Sequence, residues 1–238
     1  MSRFFNIQTD AEGVCTIFLY GDIGDYYEVQ SGRVARELLE AEKAGSRIHV
    51  RINSNGGDVY CGIAIYNAIK NSKADVHIYV DGIAASMASV IALCGKPVEM
   101  SKYARLMLHS VSGGCYGNKK EMQKCIEEIE SLEDSLGDIY AARLGMTKEE
   151  VKATFFDGED HWLTADDALR LGFIDGIYDA EPVPAGSTPE QIYTLFNNRL
   201  TEPQNKSKMN LEEIRKHPSF ANCKSCLLYT SDAADDKA

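Results

Sequence analysis

The sequence lacks a hydrophobic run long enough to cross a membrane. A spanning helix needs about 20 consecutive apolar residues, and no stretch of this chain approaches that length. The first residues, MSRFFNIQTDAEG, likewise contain no apolar segment of the kind found in secretory signal peptides. We therefore expect a cytosolic protein without a membrane partner.

The chain also lacks an excess of basic residues. Its 25 lysines and arginines are outnumbered by 36 acidic residues, which gives a formal net charge of −11. A surface of that sign repels phosphates, so nucleic acid is not an expected partner. The hydrophobic share of 44% and the charged share of 26% are typical of a soluble globular protein with one sizeable core.

A metal-binding pattern is missing as well. The seven cysteines are scattered along the chain, and the one CxxC pair, Cys223 and Cys226, has no second cysteine or histidine pair beside it. A structural zinc site needs four such ligands. In a reducing compartment the cysteines are interpreted as small buried apolar residues.

Strand and helix patterns alternate through the first 180 residues. Alternating apolar residues predict strands at 14–19, 47–53, 76–80 and 105–108. Helical spacing predicts helices at 32–44, 59–70 and 84–92. Ser31 is placed to cap the first helix, whose apolar face we predict to contain Val34, Leu38 and Leu39. Repeated β-α units of this kind indicate the α/β class.

Residues 118–144 predict one unusually long amphipathic helix. Its apolar residues recur at intervals of three and four: Met122, Ile126, Ile129, Leu132, Leu136 and Ile139. Helices average about 11–12 residues in globular domains, so we expect this one to project and to pack against another subunit. Gly145 ends it, and Thr147 with Glu150 forms a capping box for the next helix.

Composition changes after Ala180, where EPVPAGSTPE has three prolines and no helical or strand period. We assign 1–185 to the folded domain and 186–225 to a linker and partial C-terminal extension, with short helices at 189–200 and from Met209. Residues 226–236 match the translation of a sequencing-library adapter. We therefore expect 226–238 to be an artefact, with the natural chain continuing differently after Ser225.

The first segment with chemical character is INSNGGD, residues 52–58, directly after a predicted strand. Gly56 and Gly57 permit positive φ and a close backbone approach, which leaves N–H groups free to face an oxyanion. An ordinary tight turn is the alternative interpretation.

The second segment is DGIAASMAS, residues 81–89. A serine at a sharp turn from strand to helix, here Ser86, exposes its hydroxyl beside the N–H groups that follow. The alternative is a tightly packed helix in which Ser86 and Ser89 bond to the backbone.

The third segment is RLMLHS, residues 105–110, in which His109 ends a predicted strand before a glycine-rich turn. A general base is often found at such a position, although a structural histidine is the alternative.

INSNGGD, DGIAASMAS and LMLH, in this order and spacing, resemble the INSPGG, GxAASMA and MxHxP pattern of the Clp-type serine peptidases. The helix at 118–144 resembles the handle helix with which that family interlocks two rings. DHWLTADDA at 160–168, followed by LGFID, resembles the segment that carries the family's catalytic aspartate. The resemblance covers about residues 14 to 180.

The resemblance implies a Ser-His-Asp triad. Ser86 would be the nucleophile, His109 the general base and Asp160 the group that orients the histidine. The N–H groups of Gly57 and Met87 would form the oxyanion hole. Acyl transfer by such a triad needs no metal or organic cofactor, so none is expected.

Two other carboxylates compete with Asp160 for the third role. Asp157 precedes the motif by three residues, and Asp166 lies at a predicted helix start, where a carboxylate suits the helix dipole. His161 would point away from Asp160 in an extended segment and is interpreted as structural.

The family resemblance also implies a Clp/crotonase fold, a homo-oligomer of heptameric rings, and protein or peptide substrates. Three departures qualify it: Asn55 replaces a proline, 110–114 lacks the proline after the histidine, and the portion before Val14 is short and polar. That portion lacks the apolar loop with which the housekeeping enzymes engage an ATP-driven unfoldase, so this partner is not expected.

With its short portion before Val14 and its extra C-terminal sequence, the chain resembles the prophage-encoded members of the family, which process capsid proteins during head maturation. We therefore expect capsid or scaffold proteins as partners, in the bacterial host cytosol or the phage prohead. ATP-dependent protein turnover is the alternative role.

Two further functions remain open at this point. A crotonase-type enzyme acting on acyl-CoA thioesters shares the fold and the paired N–H groups but needs no nucleophilic serine. A ring-forming assembly protein without activity would keep only the shape. A hydrogen bond between Ser86 and His109 separates the peptidase from the crotonase.

Overall fold

The computed structural model describes residues 7–9, 13–45 and 47–178. The predicted linker, the two C-terminal helices and residues 226–238 lie outside these residues, as does the predicted domain boundary at 185. The strands of the described part are β1 (Ile7–Thr9), β2 (Cys15–Tyr20), β3 (Ile48–Ser54), β4 (Val76–Ala85), β5 (Val98–Met100), β6 (Arg105–Leu108), β7 (His161–Thr164) and β8 (Gly176–Ile177). Its helices are α1 (Ser31–Lys43), α2 (Val59–Asn71), α3 (Met87–Ala92), α4 (Lys119–Leu144), α5 (Lys148–Phe155) and α6 (Ala165–Leu171).

The strands form one sheet with the order β1-β2-β3-β4-β5-β8, and β6 pairs with β4 and β7. The central neighbours β2, β3, β4 and β5 run parallel. Each parallel pair is connected through a helix, because a parallel crossover needs a dozen or more residues. The predicted α/β class is confirmed.

Side-chain alternation explains why β2 and β3 are strands. Ile17 and Leu19 of β2 and Ile48, Val50 and Ile52 of β3 are buried, while the residues between them are at least partly exposed. This period of two places one face of each strand in the core. The core therefore lies between the sheet and the helices that cross it.

Strand β4 is longer than predicted and changes its neighbour along its length. Its first half pairs with β5, and its last residues, Ile83–Ala85, pair with Arg105–Met107 of β6. The prediction of a helix from residue 84 was wrong, because Ala84 and Ala85 are held in the sheet and α3 begins only at Met87.

Helix α1 also differs from its prediction. It begins at Ser31 after Gln30, which makes no side-chain cap bond, so Ser31 is not the cap. The Ser31 hydroxyl instead donates to Asp25. Val34 and Leu38 are buried as predicted, but Leu39 is 53% exposed because it lies on the opposite side of the helix.

The long helix is confirmed as α4. Asn118 caps it and forms a capping box with Glu121, and Gly145 ends it in the left-handed conformation. Its buried residues all lie in the second half: Leu136, Gly137, Tyr140, Ala141 and Leu144. Met122 and Ile126 are about half exposed. The first half of α4 therefore projects from the core, and the predicted capping box of Thr147 and Glu150 begins α5.

None of the helices in the described part of the chain is long and apolar enough to span a membrane.

An ionic cluster on the sheet links several strands. The Arg51 guanidinium binds both carboxylate oxygens of Asp81. Tyr20 and Tyr178 donate to the same carboxylate at 2.5 and 2.8 Å. Burial, together with the hydrogen bond to Asp81, raises the pKa of Tyr20 to about 12. Asp81 thus connects β2, β3, β4 and the segment after β8.

Replacing Asp81 by asparagine leaves Arg51 without its anionic partner. We expect the free energy of unfolding to fall by about 1–3 kcal/mol, less than for a fully buried pair because the Arg51 side chain is 33% exposed. Denaturant unfolding measures this. Asp138→Asn is the control, since Asp138 pairs with Lys148 at the surface; equal losses in the two variants would show that the cluster does not stabilise the sheet.

Candidate active site

Ser86 lies at the turn between β4 and α3. Its φ of 53° and ψ of −125° make it the only residue other than glycine with positive φ among those described. Such a conformation costs about 1–3 kcal/mol and persists only where the surroundings enforce it. Here the Ser86 N–H donates to the Met107 carbonyl at 2.9 Å, and its own carbonyl accepts from the Ser89 N–H at 2.9 Å.

His109 follows directly after β6. Because β6 runs parallel to the end of β4, with Ala85 opposite Met107, the two strands end side by side. The His109 Nε2 atom lies 2.7 Å from the Ser86 Oγ atom. This separation is a normal hydrogen-bond distance between a serine hydroxyl and a histidine nitrogen.

Asp160 immediately precedes β7, which pairs antiparallel with β6 so that His161 lies opposite Leu108. This pairing places the Asp160 Oδ1 atom 3.2 Å from the His109 Nδ1 atom. With the Nδ1 proton donated to Asp160, His109 Nε2 is free to accept from the Ser86 hydroxyl. The structure thus brings the three predicted residues together in one hydrogen-bonded chain.

The two competing carboxylates lie elsewhere. Asp157 contacts His161 Nε2 at 2.8 Å, and the His161 side chain is 4% exposed. Burial opposes ionisation of Asp157, but hydrogen bonds from His161 and from the Glu159 N–H outweigh it, and the pKa of Asp157 is lowered. Asp166 lies exposed in the first turn of α6, after the capping residue Thr164. Neither carboxylate hydrogen-bonds His109.

The glycine pair lies against the Ser86 turn. Gly57 has a φ of 143°, and a side chain there would place its Cβ atom 2.2 Å from the Ile23 carbonyl oxygen. At Gly56 an added Cβ atom would lie 2.9 Å from the Ser86 Cβ atom. Glycine at position 56 therefore lets the loop approach Ser86 closely, and glycine at position 57 lets it pass the Ile23 backbone.

Gly57 and Met87 line the same cavity as Ser86 and His109. Neither N–H donates to an acceptor within the described part of the chain. Both predicted oxyanion donors thus lie beside the serine with their hydrogen-bonding capacity free.

The departures from the family pattern have local consequences. Next to Asn55, the turn is closed by a hydrogen bond from the Gly56 N–H to Ser54 Oγ at 3.1 Å. Val111 stands where the pattern has proline, and its N–H donates to Glu133 of α4 at 3.2 Å. Proline has no N–H, so it would not form this bond between the loop and α4.

A cavity of about 240 Å³ opens beside Ser86 and His109. Its other walls are mostly apolar and come from α2, α3, α4 and two loops: Val59, Met87, Val90, Val111, Leu136, Tyr140 and Phe156. A larger open depression of about 920 Å³ lies near Arg47 and contains none of the triad residues. The smaller cavity is therefore the one that serves the site.

Tyr140 is missing from the predicted site, and Ser89 was predicted only in the alternative interpretation, as a residue that bonds to the backbone. Ser89 lies behind Ser86 and hydrogen-bonds both the Ser86 carbonyl and Tyr140. Tyr140 is buried on α4 beside the cavity. The spacing of four between Leu136 and Tyr140 places them on one helix face, and that spacing was the available signal.

No group of three or more histidine, cysteine, aspartate or glutamate side chains is arranged to hold a metal within residues 7–9, 13–45 and 47–178.

A model of the Clp protease family matches residues 2–181. The chain belongs to the Clp protease family. Two relatives, each named ATP-dependent Clp protease proteolytic subunit and each from a strain of Bacteroides fragilis, are 33% identical to it over 163 residues. The matched part is 68% of this chain and 77% or 73% of theirs. The predicted family is confirmed, and the narrower prophage resemblance stays a prediction.

Asp157 is expected to stabilise the fold in a pH-dependent way. In the folded state the pKa of Asp157 lies below the ordinary value of 3.8. Its contribution to the free energy of unfolding is therefore present above pH 3.8 and is lost as the pH falls toward the folded pKa. Asp157→Asn should therefore lower stability at neutral pH and flatten its decline in acid.

Denaturant unfolding at neutral pH and at roughly pH 3 measures both effects. Glu159→Gln, a nearby exposed carboxylate, is the control and should match the parent. An acid dependence that is identical in Asp157→Asn and the parent would contradict the assignment.

Proposed function

We propose that this Clp-family protein is a serine endopeptidase in which Ser86 is the nucleophile, His109 the general base and Asp160 the orienting carboxylate. One observation carries the proposal: the continuous chain from Asp160 through His109 to Ser86, with contacts of 3.2 and 2.7 Å. A site built only to polarise a thioester carbonyl has no need of this connection.

The triad geometry accounts for acylation. The Ser86 oxygen attacks the carbonyl carbon of a peptide bond while its proton passes to His109 Nε2, and Asp160 stabilises the resulting imidazolium. His109 then protonates the departing amine as the C–N bond breaks, which leaves an ester on Ser86. Water, deprotonated by His109, hydrolyses that ester and restores the serine.

Gly57 and Met87 complete the mechanism as oxyanion donors. Both residues line the cavity at Ser86, and their N–H groups are free to bind the carbonyl oxygen as it gains negative charge. Each such donor stabilises the transition state by about 2.7–4 kcal/mol in other enzymes. No metal or cofactor takes part, because the proton and the acyl group both pass between these side chains, the substrate and water.

The proposal includes assembly into heptameric rings through α4. The exposed Met122 and Ile126 on the projecting half of that helix support it, because an unpartnered apolar face in water favours association. Rings that enclose the active sites would admit unfolded segments or chains already inside. Protein and peptide chains are the corresponding substrates.

For the biological role we propose capsid maturation in a phage prohead, where substrates are enclosed with the protease. The resemblance of the sequence to the prophage-encoded group supports this role. ATP-dependent protein turnover is the second candidate, and the name of the Bacteroides fragilis relatives favours it. An inactive assembly protein is disfavoured because it needs no aligned Ser86 and His109.

Fluorophosphonate labelling tests the nucleophile. The parent protein should be labelled at Ser86 and Ser86→Ala should not be, since only a serine activated by a base reacts rapidly with this reagent. Mass spectrometry of the labelled peptide identifies the site. Absence of label from a folded and assembled parent would sink the proposal.

The same assay separates the two carboxylates. Asp160→Asn should slow labelling and peptide hydrolysis by up to about 10⁴-fold, because the amide favours the wrong histidine tautomer. Asp157→Asn is the matched control and should keep the parent rate. The opposite ranking would transfer the orienting role to Asp157.

The two roles differ in their need for ATP. Under the capsid-maturation role, the protein should degrade an unfolded substrate such as casein without ATP, and a Clp unfoldase with ATP should not extend this to a folded, tagged protein. Gel electrophoresis of both substrates measures it. ATP-dependent loss of the folded substrate would favour protein turnover instead.

A further inference from the structure

We propose that Ser89 and Tyr140 are positioning residues that hold the backbone of Ser86 in its strained conformation, so that helix α4 sets the alignment of the nucleophile. This inference rests on the proposed function, since it assigns the two hydroxyl groups a part in the peptidase reaction. Neither hydroxyl contacts the reacting atoms, and both act through the Ser86 carbonyl.

The Ser86 carbonyl accepts three hydrogen bonds. It accepts the Ser89 N–H at 2.9 Å and the Val90 N–H at 3.4 Å. Its shortest contact, 2.6 Å, comes from the Ser89 hydroxyl. Fixing this carbonyl fixes ψ of Ser86, and with it the direction from which the Oγ atom approaches His109.

The direction of the hydrogen bonds follows from their chemistry. A carbonyl oxygen only accepts, so Ser89 uses its single hydroxyl proton on Ser86. The contact of 2.7 Å between Ser89 Oγ and the Tyr140 hydroxyl therefore has Tyr140 as its donor. Donation into Ser89 polarises its hydroxyl and strengthens the bond to the Ser86 carbonyl.

Both hydroxyl groups are shielded from water. Ser89 is 0% exposed and Tyr140 is 2% exposed. Burial raises the pKa of Tyr140, so the phenol stays a neutral donor throughout the range in which a histidine base works. Water therefore does not compete for either bond, and loss of the Ser89 hydroxyl leaves the buried Tyr140 hydroxyl without an acceptor.

Tyr140 is in turn held by its surroundings. Its ring packs edge-on against Phe156 at 6.0 Å between ring centres. Leu136, one turn earlier on α4, borders the same cavity as Ser86. The same stretch of α4 thus forms a wall of the cavity and anchors the nucleophile turn.

A role in stability alone would give different kinetics. Without the Ser89 hydroxyl, the Ser86 carbonyl keeps only its two N–H donors, and the strained turn relaxes toward a more favourable φ and ψ. A misplacement of about 1 Å lowers reaction rates by up to about 10²-fold. The loss should appear in kcat and not in KM, because the cavity walls are unchanged.

Steady-state hydrolysis of a fluorogenic peptide and the rate of fluorophosphonate labelling test this on the full-length assembled protein. We expect Ser89→Ala to lower both kcat and the labelling rate by about tenfold or more, with KM changed by less than about twofold. Tyr140→Phe, which keeps the ring and the packing, should lower kcat by a smaller factor. The double variant should be no slower than Ser89→Ala, because the two hydroxyl groups act as one unit.

Ser72→Ala is the matched control, because Ser72 is also a buried serine with a side-chain hydrogen bond. It lies between α2 and β4 and its hydroxyl donates to Glu42 of α1. This variant should lower thermal stability and leave kcat unchanged. If Ser89→Ala and Tyr140→Phe behave like this control, the inference is overturned while the proposed function stands. A parent that is folded but unreactive would overturn both.

Discussion

The pairing of β6 with the last residues of β4 is the constraint on which the site depends. Ala85 lies opposite Met107, so β4 and β6 finish side by side, and Ser86 and His109 are the residues that directly follow them. The antiparallel pairing of β7 with β6 then brings Asp160 to the far side of the histidine. Backbone hydrogen bonds therefore set the triad distances, and the side chains need little freedom to meet. The strain at Ser86 is tolerated because the Met107 carbonyl fixes its N–H and Ser89 fixes its carbonyl.

Much of this arrangement was predictable where a residue type has one dominant local use. The capping boxes at Asn118 and Thr147 and the left-handed Gly145 follow from short-range geometry, and α4 follows from its apolar period. Features set by distant partners were not predictable. The sequence of Ala84 and Ala85 suits a helix, but pairing with β3 and β6 keeps both in a strand. Leu39 fits an apolar spacing and yet faces solvent, since the sheet covers only one side of α1.

Asp157 and Asp160 lie three positions apart and each contacts a histidine, but only one of these pairs belongs to the proposed triad. Asp160 reaches across to His109 on another strand, whereas Asp157 and His161 bond to each other beneath it. His161 packs edge-on against Phe155 in the core, while His109 borders the cavity with a quarter of its side chain exposed. Asp160 and His161 are adjacent at the start of β7, so their side chains leave on opposite sides, whereas Asp157 lies in the preceding bend. The order of these residues in the sequence therefore supports Asp160 as the partner of His109. The number of residues between the motifs alone does not distinguish Asp160 from Asp157.

The register between β3 and β4 carries a consequence for how the fold tolerates change. Ile52 of β3 lies opposite Val80 of β4, and Ser54 lies opposite Ala84. Between these two pairs β3 therefore advances by two residues and β4 by four. Strand β4 thus has two extra residues at this irregularity. Because that number is even, the side chains after it lie on the same faces of the sheet as an uninterrupted register would give them. A single residue inserted at Gly82 would make the number of extra residues odd, and every later side chain of β4 would move to the other face of the sheet. Ser86 would then emerge on the face opposite His109, with its chemical identity unchanged and its partner out of reach. Insertions or deletions in β4 near Gly82 are therefore compatible with the site only when they add or remove an even number of residues.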